Sequence, residues 1–272
     1  VTAPAPTGTD RVALLAALCD DLAAESADLD ALVAPLDPAE WATPTPAVGW
    51  DIRDTISHLA ATDSDALLAL TAPGEFAALL GQLAAEGPSY VDRLVADARS
   101  RPPAEVLAGW RAGREALAAE ARRRNPAERV PWFGPPMSPV SFVTARLMET
   151  WAHGQDVADA LGQERRPTAR LRSVAEIGVR ARPFSYAAHG RPMPEVPVHV
   201  ALVGPEGEQW GWGAPDAPDV VRGPALDFCL LVTQRRHRDD LALETTGPAA
   251  AEWLGIAQAF AGPPGAGREP RA

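Results

Sequence analysis

The sequence predicts an α+β chain: a four-helix bundle followed by a smaller α/β domain. Three observations carry this. Up to about residue 161, apolar residues recur at helical spacing in long runs, separated by loops that hold proline and glycine. After Arg165 the texture changes. VPVHVALVG (196–204) alternates and is β-branched, Gly204-Pro205-Glu206-Gly207 reads as a hairpin turn, and EQWGWG returns as a second strand. The length of 272 residues accommodates one large domain or two ordinary ones, and 46% hydrophobic content is ample for packed cores. The expected boundaries are 10–165 for the bundle, 166–262 for the α/β domain and 263–272 for a disordered tail.

Residues 1–9 are rich in Pro, Thr and Ala and are expected to fray. Asp10 is positioned to cap a helix to about Val33, with Val12, Leu15, Leu18, Leu22 and Leu29 as its apolar stripe. Asp37-Pro38 restarts a short helix. ATPTPAVGW then forms a loop stiffened by Pro44 and Pro46, with Gly49 as a turn residue and Trp50 as a plug. Asp51 caps the next helix, to about Leu70. Helical runs follow at roughly 75–100 and 103–124. The loop NPAERVPWFGPPMSP is broken by prolines, after which Ser138 caps and Pro139 opens a helix that ends at Gly162. Four long helices with one short extra piece fit an antiparallel bundle. In the second half, a helical run extends from Thr168 to Arg182-Pro183. Further strands are expected at 219–222 and 241–246, and helices at 224–236 and 248–260. This half is α+β. The tail carries glycines but follows no strand and precedes no lysine, so it is not a phosphate loop.

Charge and composition exclude several functions. The net charge of −11 repels phosphate backbones and anionic membranes, which argues against a nucleic-acid partner. No apolar run approaches the ~18 residues that span a bilayer, and the N-terminus lacks a basic region, so neither a membrane segment nor a signal peptide is expected. The expectation is a cytoplasmic protein, monomer or homodimer, acting on a small molecule. Every basic residue is arginine, which fits coding bias better than function. Cys19 and Cys229 lie far apart in helical patterns and read as buried free thiols.

The chemistry concentrates in LMETWAHGQDV (147–157). Glu149 and His153 are four residues apart on a helix, which stacks their side chains on one face with Cβ atoms about 6 Å apart, close enough to hold one metal ion. Val140, Leu147, Trp151 and Ala158 form one apolar stripe of this helix. Phe142, Arg146, Glu149, His153 and Asp156 form a second. That second stripe could be a solvated face; Phe142, Ala145, Ala152 and Ala160 on or beside it point instead to burial on both sides, where a Glu beside a His needs a partner. His58, in DIRDTISHLAATDSDALLAL, is a third candidate. It lies off the stripe of Ile52, Ile56, Leu59 and Leu70, and read alone it fits a surface or hydrogen-bonded histidine better than a ligand. Two His and one carboxylate suit Zn²⁺, and also Fe²⁺, Ni²⁺ or Co²⁺, with room for a water or a thiol. Asp156 is a candidate to fix a ligand tautomer. Arg146 could serve Glu149 in the same way, or pair with Asp156.

The segments WATPTPAVGWDIRDTISHL (41–59) and ETWAHGQDV (149–157) resemble the mycothiol-dependent maleylpyruvate isomerase family of actinobacteria, and within it a branch usually described only as metal-binding. The resemblance spans both halves. It implies a DinB-like four-helix bundle and a C-terminal α/β domain similar to sterol carrier proteins. It implies zinc binding at His58, Glu149 and His153, and so lifts His58 into the ligand set. It also implies mycothiol as cosubstrate, its thiolate attacking an electrophilic carbon. In an isomerase the adduct rotates and expels the thiol; in an S-transferase the adduct is the product. Arg235 and Arg236, in VTQRRHRDD, are candidate catalytic residues that clamp a carboxylate of substrate or cosubstrate; surface arginines answering Asp239 and Asp240 are an equally good reading. His189 and His199 have no partner pattern. Two rival functions remain. One is a thiol-independent metal-dependent biosynthetic enzyme, a hydrolase, lyase or cyclase. The other is a non-enzymatic metal-stabilised binding protein whose Trp210, Trp212 and Trp253 wall an apolar pocket. No Gly-x-Ser-x-Gly element is present, which disfavours a serine hydrolase.

Overall fold

The computed structural model of the chain describes residues 8–86, 96, 99–265 and 267–271. Most of the N-terminal segment expected to fray, residues 87–95 and 97–98 of the helical run expected at 75–100, and two residues of the tail lie outside them. The chain divides into two compact units, Val1–Glu164 and Arg165–Ala272.

The first unit is helical. Helix α1 (Gly8–Val33) starts two residues before Asp10, which therefore lies in the first turn, where a carboxylate still complements the helix dipole. Its packed stripe begins at Leu15; Val12 stays exposed. The restart expected at Asp37-Pro38 is a single 3-10 turn, Glu40–Ala42. The Asp37 carboxylate accepts the amides of Ala39 and Glu40 at 2.8 and 2.9 Å there. Helix α2 (Ile52–Thr71) begins at a reciprocal cap: Asp51 accepts from the Asp54 amide at 2.8 Å, and Asp54 accepts from the Asp51 amide at 3.1 Å. Helices α3 (Pro73–Glu86) and α4 (Pro103–Arg122) follow, then α5 (Pro139–Ala160). Ser138 caps α5 by accepting from the Ser141 amide. At its other end Gly162 takes φ +63, and Gln163 and Gly162 donate back to Ala158 and Asp159, which closes the helix on its own carbonyls.

Helix α1 packs on α4 and α5, and α2 on α4 and α5, which makes the bundle; α3 lies along α2. The apolar residues divide into two clusters. One holds Leu15, Leu18, Leu22, Leu70, Leu117, Phe142 and Leu147. The other holds Leu29, Val33, Ile52, Ile56, Leu59, Trp110 and Val157. Between these groups, along α1, α2 and α5, lie buried polar side chains: Glu25 and Ser26, then Asp63, then Arg146 and Thr150. A polar layer therefore interrupts the bundle core at mid-height.

The second unit is α+β. The helical run expected from Thr168 to Arg182-Pro183 is α6 (Leu171–Arg180), and a further helix that was not expected, α7 (Arg182–Ala188), follows it directly. Pro183 has no N–H for the α6 ladder, so the chain turns there and uses proline in the first turn of α7. Strands β1 (Val198–Val203), β2 (Gln209–Trp212), β3 (Asp219–Pro224) and β4 (Glu244–Thr246) form one sheet in the order β2-β1-β3-β4. β1 and β3 are parallel, with Val200 opposite Val221; the outer pairings are antiparallel. Helices α8 (Ala225–Val232) and α9 (Pro248–Leu254) are shorter than expected. α8 stops because Gln234 adopts φ +58 and Arg235 donates to the Leu230 carbonyl at 2.8 Å. α9 stops at Gly255. Val200, Leu202, Val221, Phe228, Tyr186 and Trp253 fill this unit's core. Among the described residues, no helix is long and apolar enough to cross a membrane.

Candidate metal centre

Helix α5 is covered on nearly every side. Both of its stripes are buried: Leu147, Trp151 and Ala158 on one, Phe142, Arg146, His153 and Asp156 on the other. The second stripe is not a solvated face. Glu149 and His153 lie on it one turn apart, with Oε2 of Glu149 3.5 Å from Nε2 of His153. Helix α2 packs against α5 and brings His58 to the same place. Its position off the apolar stripe makes this possible. Ile52, Ile56 and Leu59 enter the core, and the neighbouring flank of the helix presents the imidazole. One ligand atom from each of His58, Glu149 and His153 lies within 4.8 Å of the others. The two imidazole centroids are 4.8 Å apart, edge to face. His153 is buried, while His58 and Glu149 are half-buried, so the cluster is reachable from outside.

The electrostatics suit a cation. Burial would lift the Glu149 carboxyl. The hydrogen bond with His153 and the positive charges of His153, Arg146 and His58 outweigh it and hold the group at about 2, so it stays an anion. Asp156, buried beneath the cluster, places Oδ2 3.3 Å from Nδ1 of His153. His153 thus has a carboxylate at each ring nitrogen. Two imidazoles and an ionised carboxylate form a donor set of the kind that holds zinc with at least one position left over, so the residues present fit a divalent metal.

Arg146 acts on Glu149 through its charge, but its hydrogen bonds go to a partner that was not expected. Its Nε and Nη2 donate to Oδ1 of Asp63 at 3.1 and 2.9 Å, and Nη2 also reaches Oγ1 of Thr62 at 2.9 Å. The pair is almost fully enclosed, with side chains 3% and 5% exposed. Burial pushes the Asp63 carboxyl up, and the guanidinium pulls it back in part. Thr62 in turn donates to the His58 carbonyl at 2.9 Å. The pair therefore ties α5 to α2 close to the cluster, with Arg146 three residues before Glu149 and Asp63 five residues after His58.

A residue read from the sequence only as a plug belongs to the site. The Trp50 ring lies 6.0 Å from that of His153 at 18° and 5.1 Å from that of His58. No periodicity could place it, because it sits in a loop. The available signals were an aromatic residue directly before the Asp51 cap of the helix that carries His58, and its place in the 41–59 segment that carries the family resemblance.

The remaining candidates, Cys19 apart, lie in the second unit. Arg235 and Arg236 follow the end of α8 and donate to the carbonyls of Thr233 and Arg235, both at 2.6 Å. His189 and His237 make local backbone contacts, and His199 meets the Gly213 carbonyl at 3.3 Å. Trp210 and Trp253 are buried in the core, and the Trp212 indole donates to Glu176. Cys19 and Cys229 are buried and free, and burial pushes both thiols up, Cys229 strongly; such groups are poor nucleophiles.

A family profile described as the mycothiol maleylpyruvate isomerase N-terminal domain matches residues 22–158. Two uncharacterized proteins from strains of Mycobacterium tuberculosis are each 50% identical over 248 residues, which is 91% of this chain and 96% of theirs. Among solved structures, the crystal structures of the mycothiol-dependent maleylpyruvate isomerase and of a point mutant of it match with TM-score 0.58 and 15% identity. They cover 85% of this chain and 92% of the matched chain. At that identity the likeness speaks for a shared fold.

Proposed function

Because the chain belongs to the mycothiol maleylpyruvate isomerase family, we propose that this enzyme holds one divalent metal, zinc by preference, on His58, Glu149 and His153, and uses mycothiol or a similar small thiol toward a small electrophilic substrate. The observation that carries the reading is the convergence of three ligand atoms, from two helices far apart in sequence, within 4.8 Å. The bound metal supplies Lewis acidity and favours the thiolate form of a coordinated thiol.

The chain's own residues prepare the rest. Asp156 fixes the His153 ring and keeps its Nδ1 engaged, which leaves Nε2 on the Glu149 side. Glu149 is an anion before any cation arrives. Arg146 and Asp63 lock α5 to α2, so the two halves of the ligand set keep their separation. The cysteines take no part, and the nucleophile comes from outside the chain. The reaction is then an isomerisation, in which the thiol adds to carbon and is later expelled, or an S-transfer, in which the adduct leaves.

Metal analysis of the purified chain tests the ligand set. One equivalent is expected in the parent and none in His153→Ala, with helical circular dichroism retained; stoichiometric metal in the variant overturns the set. Adding a thiol to the Co²⁺ form should produce thiolate-to-metal charge-transfer absorbance. Its absence, with activity that needs no thiol, would favour a metal-dependent hydrolase, lyase or cyclase on the same scaffold.

A further inference from the structure

We propose that Trp50 is a positioning residue of the metal centre: its indole closes one flank of the ligand set and holds the two imidazoles in their metal-binding orientation. This rests on the metal reading above and adds to it a residue that donates no ligand atom.

Two independent observations converge. The first is the ring geometry. Trp50 is stacked on His153 at 18° and tilted at 53° against His58, while the two imidazoles meet each other at 63°. The three rings form a closed triangle, so neither imidazole can turn far without striking the indole or the other ring. An imidazole bound to a divalent cation is electron-poor, and an electron-rich indole face is its favourable neighbour. The contact should therefore be stronger in the metal-loaded protein than in the empty one.

The second observation is how firmly the loop holds Trp50. Its N–H donates to the Ala47 carbonyl at 2.9 Å, and its carbonyl accepts from both the amide and the hydroxyl of Thr45, at 2.8 and 3.1 Å. Gly49, just before it, takes φ +82, a conformation that favours glycine. The Gly49 carbonyl accepts from Nη2 of Arg99 at 2.8 Å. Arg99 at the same time grips both oxygens of Asp54, at 2.9 and 2.6 Å. Asp54 is half of the reciprocal cap with Asp51, the residue after Trp50. The backbone on each side of the indole is thus pinned to the first turn of the helix that carries His58. A tryptophan serving only as core filler would need neither the tether nor the half-open position it occupies.

The test uses the full chain as parent, Trp50→Phe and Trp50→Leu, titrated with Co²⁺ against a competing chelator. Three quantities are read: affinity, the visible ligand-field bands, and quenching of tryptophan emission by the paramagnetic ion. The leucine variant should keep a 1:1 stoichiometry and its circular dichroism but bind about tenfold more weakly, with shifted bands. The phenylalanine variant, which keeps an aromatic face, should fall between. Part of the parent's emission should be quenched on loading, and that part should be missing from both variants. If the parent binds Co²⁺ and both variants match it in affinity and bands, the proposal fails while the metal reading stands. If the parent binds no Co²⁺, the metal reading fails and this one with it. Should the leucine variant lose its helical signal, the bands, affinity and quenching of Trp50→Phe decide alone.

Discussion

Asp156 holds its carboxylate 3.3 Å from Nδ1 of His153, with a side chain only 1% exposed. A carboxylate this deep costs stability unless it has a counterpart, and one of its neighbours is a ring whose other nitrogen faces Glu149. The arrangement orients the ring and makes its far nitrogen a better donor.

Asp156→Asn keeps the volume but removes the charge. Metal affinity should drop by about 10–100-fold, as is usual when such an outer partner of a ligating histidine is lost. Stoichiometry at saturating metal should stay at one, which separates this role from that of a ligand. Competition with a chelator measures the change, and an affinity equal to the parent's would rule out the orienting role.

A second prediction concerns pH and a different group of residues. Asp30 accepts from Arg111 at 2.8 and 2.6 Å and from Arg114 at 2.6 Å. Hydrogen bonding from Arg111, joined by Arg114, holds the Asp30 carboxyl below its ordinary value in spite of partial burial. A carboxyl lowered on folding stabilises the folded state above its unfolded pKa of about 3.9, and loses that contribution as pH falls through the folded value. Asp30→Asn should therefore unfold at lower urea than the parent at neutral pH, with the gap narrowing below about pH 4. The effect should be modest, because Arg111 is 45% exposed. A gap that stays constant across the acid range would show that the ion pair is not its source.

How far these features were legible depends on whether their chemistry is local. Asp51, Ser138 and Gly162 mark helix ends through hydrogen bonds that span three to five residues, and each does in the structure what its residue type implies. The Glu149–His153 pair is local too, since a single helical turn makes it. His58 is different. Its own helix gives it no reason to meet the pair, and the packing of α2 on α5 brings them together; only the likeness to a known family pointed there. Trp50 was harder still, because its pose depends on Arg99, 50 residues from the Gly49 carbonyl it binds. The end of the run from Thr168 near Arg182-Pro183 was legible for a local reason, since proline cannot continue a ladder; the short α7 that begins there was not. The early end of α8 was not, because Gln234 adopts a left-handed conformation that its residue type does not announce.

The last prediction concerns the polar layer between the two apolar clusters of the bundle. Arg146 and Asp63 are charged, in contact and almost fully enclosed. Pairs of this kind cost desolvation on both sides, so their presence is weak evidence of stabilisation; their value is in fixing which helix faces meet. Removing one partner is another matter. Arg146→Met leaves the Asp63 carboxylate buried without its guanidinium and should cost about 3–5 kcal/mol. The double variant Arg146→Met with Asp63→Leu removes both charges and should recover most of that loss. On the proposed ligand set it should still bind metal less tightly than the parent, because the clamp between α2 and α5 is gone. Urea unfolding of the two variants and the parent, with chelator competition on the double variant, separates the two effects. If the double variant regained stability and bound metal as tightly as the parent, the pair would have no part in setting the distance between His58 and the Glu149–His153 turn.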